Sequence, residues 1–140
     1  HVQIFNNPYL IFIKNIEQEN TNEAKELKIA QQYNHTVYFD INQHQMAPDE
    51  AIKLDDFIAD LEEKDIQRVE IIGFTDSSGA DLYNLRLSER RAKKVALYLL
   101  ESNVIVDQIY MEGKGRVSDD KAPKAKDRKV EIKVYTLEDY

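Results

Sequence analysis

Near the end of the chain the hydrophobic pattern has a period of two. Val130, Ile132 and Val134 alternate with Glu131 and Lys133, which marks "RKVEIKVY" (128–135) as a strand with one wet face. Working back, "QIYMEG" (108–113), "RVEIIGF" (68–74) and "TVYFDI" (36–41) also read as strands. Between them the period lengthens. "APDEAIKLDDFIADLEEK" (47–64) puts Ala51, Leu54, Phe57, Ile58 and Leu61 on one face, with Pro48 near N1 and acids in the first turn, and Ala80 to Ser102 reads mostly as a second helix. The order is β-α-β-α-β-β. It predicts an α/β (α+β) two-layer sandwich in which a small mixed sheet is covered by helices on one face. Gly113 and Gly115 are read as opening the last connection, which runs to Asp127.

Residues 1–35 follow another pattern. Two short apolar runs flank Asn6, Asn7 and Pro8 and suggest a hairpin or edge strands, and "NEAKELKIAQQY" (22–33) reads as a polar helix. The chain therefore divides into an N-terminal extension or linker (1–35), a domain (36–136) and an acidic tail (137–140).

Composition narrows the function. The chain has 140 residues, 42% hydrophobic and 32% charged, which suits one globular domain. A formal net charge of −7 argues against a general nucleic-acid role, which needs a basic footprint. The basic cluster Lys121, Lys124, Lys126, Arg128 and Lys129 is local and reads as a solvated loop. No apolar run has a membrane helix's length, so contact with a membrane is expected only through a part outside this chain. The chain contains no cysteine, which removes disulfides and thiolate chemistry. His35, Asp40 and His44 straddle a strand without a dedicated ligand spacing, so they read as surface residues, and no metal or other cofactor is expected. No catalytic triad, phosphate loop or carboxylate pair stands out, and the chain is not read as an enzyme.

The stretch "FTDSSGADLYNLRLSERRA" (74–92) holds the candidate chemistry. On a helical wheel Leu85, Ala92, Val95, Ala96 and Leu99 form the core stripe. Asn84, Ser88 and Arg91 form a second stripe at its border, and Arg90 points to water. A partly desolvated Arg91 needs a partner, and Asp76, at the C-terminal end of a strand where ligands of α/β sheets settle, is the candidate. Asp40 occupies the matching end of the first strand. The "SSG" loop offers hydroxyls and N–H groups near a helix N-terminus. Spacing alone leaves open whether Asp76 and Arg91 hold a zwitterion or form an ion pair that fixes the loop.

The segments "VYFD" (37–40), "GFTDSSGADLYNLRLSERRA" (73–92), "MEGKG" (111–115) and "DRKVEI" (127–132) together resemble the signature of the OmpA C-terminal-like family of peptidoglycan-binding domains, found in OmpA, Pal and MotB. The resemblance covers about a hundred residues, from Thr36 to Tyr135. It implies noncovalent binding of peptidoglycan through the meso-diaminopimelate of the stem peptide, by a domain that anchors a larger protein in the periplasm or envelope of a Gram-negative-type bacterium. It also implies contacts from Asp76 and Arg91 to that residue's amino and carboxylate groups, with Asp40, Ser78, Asn84 and Arg128 as further ligand residues. Phe74 stands where the family usually has His, Arg116 where it has Glu, and Lys129 where a second Arg is frequent. The altered loop leaves a second reading open, in which the fold serves as a protein interaction domain within an envelope, flagellar or secretion assembly.

Overall fold

One long antiparallel pair organises the sheet. In the computed structural model, which describes residues 11–14, 26–104, 106–119 and 122–139, strand β2 (Glu26–Tyr38) pairs with β5 (Lys129–Asp139). The register runs from Lys28 opposite Asp139 to Tyr38 opposite Lys129. Strand β3 (Asp65–Thr75) pairs antiparallel with the other side of β5, and β4 (Ile109–Arg116) lies parallel to β3. Strand β1 (Ile11–Lys14) borders β2, giving the order β1-β2-β5-β3-β4.

Helix α1 (Pro48–Asp60) follows β2, and α2 (Asp81–Glu101) makes the crossover that a parallel β3–β4 pair requires. Both helices pack on one face. Leu54 of α1 and Ala92, Val95 and Leu99 of α2 share a buried cluster with Val37, Val69, Ile71, Val130, Ile132 and Val134 of the sheet. The two-layer α+β architecture expected from the hydrophobic pattern is the observed one.

Several local expectations fail. The polar helix read over 22–33 is a strand from Glu26 onward, because pairing with β5 satisfies its backbone along nearly its whole length. β2 thereby crosses position 35 without a break, and Leu137–Asp139, read as tail, continue β5. Gly113 and Gly115 lie within β4 rather than in the connection after it. On α2, Leu85, expected in the core stripe, is 39% exposed, whereas Leu87, on another side of the helix, is 4% exposed. The first apolar run and the start of the second lie outside the described residues, as does the basic residue Lys121, while the second run continues into β1, an edge strand.

His35 is not a surface histidine. Its ring stacks on Phe57 of α1 with centroids 5.0 Å apart, and Nε2 is buried without a hydrogen-bond partner. Burial lowers its pKa below the usual value, against the opposing pull of Glu50, with Lys53 assisting. The folded state therefore keeps His35 neutral at pH values where the unfolded chain already takes up a proton. Its contribution to stability is present above the unfolded pKa and is lost as pH falls through the folded one. Thermal melts should show the midpoint falling by a few degrees between about pH 7.5 and pH 5. That part of the fall should be absent in His35→Phe; an identical pH dependence in the variant would contradict this assignment.

Candidate functional site

The site is built where β3 ends. Thr75 closes the strand, and Asp76 enters a turn in which its Oδ1 accepts hydrogen bonds from the N–H and the hydroxyl of Ser78. Gly79, at φ +85°, turns the chain back toward α2, a conformation that suits glycine. Asn84, in the first turns of α2, donates from Nδ2 to the Ser78 carbonyl at 2.6 Å and fixes the loop. Arg116, from the end of β4, adds a hydrogen bond to the Gly79 carbonyl and an ion pair with Asp81. Arg116 thus fastens the β3–α2 loop to the neighbouring strand.

Asp76 is only 4% exposed. Its Oδ2 lies 3.4 Å from Nη1 of Arg128, whose Nε donates to the Phe39 carbonyl at 2.8 Å. Burial by itself would raise the carboxyl's pKa. The Ser78 hydroxyl and N–H and the Arg128 guanidinium outweigh it and hold the pKa below the usual range.

Arg91 is fully buried, yet the pairing with Asp76 inferred from spacing does not form. Its Nε donates to the Gln43 carbonyl at 2.8 Å, Nη1 to that of Phe74 at 3.1 Å and Nη2 to that of Asp40 at 3.1 Å. The Phe39 ring lies against the guanidinium, 5.2 Å from its carbon. Three carbonyls from two chain segments, the β2–α1 loop and the end of β3, replace the single carboxylate. Burial and then the positive charge of Arg128 bring its pKa down to about 10, while Asp76 opposes this through space, so Arg91 is a cation at neutral pH.

Asp40 contributes its backbone carbonyl to this network, while its side chain is exposed. A groove of about 350 Å³ beside the network is bordered by Phe39, Asp40, Asp49, Lys126 and Arg128. The six residues named from the sequence lie close together in two hydrogen-bonded sets, Asp76, Ser78, Asn84 and Arg128 in one and Arg91 with the Asp40 carbonyl in the other. Phe39 joins them, its carbonyl accepting from Arg128 and its ring covering Arg91, and Arg128 stands between the groove and Asp76. Two others went unnamed. The Ser77 hydroxyl is buried without a hydrogen-bond partner, and only the turn geometry, not the "SS" pair, separates it from Ser78. Gln43 supplies its carbonyl, which leaves no mark in sequence. His35, Asp40 and His44 do not assemble, and among the described residues no group of His, Asp and Glu is placed to hold a metal ion.

The OmpA family model matches residues 38–133. Outer membrane protein A of Bordetella avium is 33% identical over 107 residues, covering 73% of this chain and 55% of that protein. The peptidoglycan-associated lipoprotein of Buchnera aphidicola is 35% identical over 97 residues, covering 69% and 54%. This chain spans about half or less of the length of the curated relatives it matches. Among solved structures, the peptidoglycan-associated lipoprotein of Burkholderia pseudomallei aligns with TM-score 0.53 and 25% identity, over 71% of this chain and 88% of that one. The cell wall anchor of the T6SS of Pseudomonas aeruginosa shares the fold, with TM-score 0.57 and 20% identity, over 75% and 82%.

Proposed function

This chain belongs to the OmpA family, and from that premise we propose that it anchors a larger protein of the cell envelope by binding peptidoglycan noncovalently, through the meso-diaminopimelate of the stem peptide. The observation that carries this reading is the convergence of one buried carboxylate and two guanidinium groups at one end of the sheet, in a family whose members include a peptidoglycan-associated lipoprotein. A free amino-acid end carries both charges. Asp76 suits its ammonium, and a guanidinium fork suits its carboxylate.

Binding on this reading is an exchange of partners. The ammonium takes Asp76 from Arg128, which turns toward the groove, and the carboxylate takes over N–H groups of Arg91 now given to Gln43, a residue on an exposed loop. Diaminopimelate has about thirteen heavy atoms, so at about 0.3 to 0.5 kcal/mol per atom a single site gives about 4 to 6 kcal/mol. That corresponds to millimolar to tens of micromolar affinity, and firm anchoring comes from the many stem peptides of the polymer.

Co-sedimentation with sacculi tests the reading. The domain should pellet with diaminopimelate-type sacculi and at least about tenfold less with lysine-type sacculi, whose stem peptide lacks the side-chain carboxylate. Asp76→Asn, which keeps the Ser78 contacts in reach but removes the charge, should lose binding while remaining folded by circular dichroism. Equal pelleting with both wall types would remove the diaminopimelate assignment, and no pelleting of folded wild type would remove peptidoglycan binding altogether.

A further inference from the structure

A second surface lies on the far side of α2, away from the network around Asp76. Strand β4 ends the sheet, and among the described residues nothing pairs with its outer edge, so alternate N–H and C=O groups face outward. Between that edge and α2 runs a groove of about 600 Å³ with Met111 and Gly113 in its floor. Arg86, Arg90 and Lys93 form its wall. All three are exposed, and among the described residues none of them has an ion-pair partner. Glu89 and Glu112 also border the groove; Glu112 accepts a hydrogen bond from the Tyr110 hydroxyl. Met111 is 45% exposed, an apolar floor open to solvent.

We propose that the β4–α2 groove receives an extended acidic segment of a protein partner, which adds to the sheet as a strand beside β4. This goes beyond the peptidoglycan reading and does not depend on it. Two features select this occupant together. The row of cations in a chain of net charge −7 calls for anionic side chains. The open strand edge calls for backbone donors and acceptors, which a polypeptide has and a phosphate polymer lacks. The spacings agree. Along the helix axis Arg86 and Arg90 are about 6 Å apart, and Arg90 and Lys93 about 4.5 Å. Side chains on one face of a strand recur every 6.5 to 7 Å or so, so carboxylates at alternate positions meet the successive cations. The intervening side chains then point to the opposite face of the sheet, away from α2.

The test uses the full chain and a synthetic peptide of alternating glutamate and valine, followed by amide shifts in NMR. Shifts are expected at Ile109–Gly113 and along Arg86–Lys93, with affinity falling at about 0.5 M salt. A double variant, Arg86→Glu with Arg90→Glu, should weaken binding at least about tenfold and should instead take up the matching lysine and valine peptide. Since both positions are exposed, sacculus binding and the melting temperature should be unchanged. A peptide N-methylated at alternate residues, which keeps the charges but loses the edge hydrogen bonds, should not bind. The proposal is overturned if the methylated peptide or polyphosphate binds as well as the parent peptide, if charge reversal has no effect, or if the shifts lie elsewhere.

Discussion

Replacing Arg91 by alanine is expected to remove about 3 to 5 kcal/mol of stability along with the proposed peptidoglycan binding. The size follows from the partners. The side chain is fully buried and gives charge-assisted hydrogen bonds to the carbonyls of Asp40, Gln43 and Phe74, and its truncation removes the donor from all three and the cation from the Phe39 ring. These carbonyls belong to the β2–α1 loop and to the end of β3, so the loss also frees the loop that carries Asp40 and Gln43. Arg91→Lys should recover only part of the loss, because one ammonium cannot hold three divergent carbonyls as a planar fork does. Arg90→Ala, at the exposed neighbour, should change stability by no more than about 0.5 kcal/mol. Urea unfolding of the variants checks this. An Arg91→Ala protein as stable as wild type would mean that the buried network contributes nothing to the fold.

The second large effect lies below the site. Gly73 of β3 and Gly113 of β4 are register neighbours, and α2 crosses the sheet directly over them. A Cβ on Gly113 would sit 2.6 Å from the Ser88 hydroxyl and 2.7 Å from Cα of Glu89, and one on Gly73 would meet the Ser88 backbone and, at 3.3 Å, the Ala92 Cβ. Most of these atoms are helix backbone, which cannot rotate out of the way. Gly73→Ala or Gly113→Ala should therefore lift α2 off the sheet and cost about 2 to 4 kcal/mol. The same close approach lets the Ser88 hydroxyl donate to the Leu85 carbonyl and accept from the Gly115 N–H at 2.9 Å. Arg91 sits one turn further along α2, so a lifted helix should also weaken ligand binding. A Gly113→Ala protein that melts within about 1 °C of wild type would refute the packing.

The helices and the inner strands were legible because their local and tertiary preferences agree. Pro48 at the start of α1, the 3.6-residue spacing of Ala92, Val95, Ala96 and Leu99, and the alternation of Val130, Ile132 and Val134 all point to the face that is buried. The segment from Glu26 was misread because Glu, Ala, Lys, Leu and Gln favour a helix locally, whereas the long pairing with β5 makes it a strand. Leu85 shares its side of the wheel with Ala92 and Leu99, and only the tertiary structure decides that it stays 39% exposed while they are buried.

The amino-acid sequence by itself determined the order of elements from β2 onward and marked six residues that lie at the end of the sheet, Asp40 through its carbonyl and the others through their side chains, since motif and periodicity are properties of neighbouring residues. Only the tertiary structure decided how those side chains are partnered. Arg91 bonds to carbonyls, which every residue carries and no sequence distinguishes, and Asp76 is held by Arg128, far along the chain, because β5 lies between β2 and β3 and brings its first residues beside them. Charge can be read from a sequence, but which charges lie within a few ångströms of each other depends on the register of strands distant in the chain.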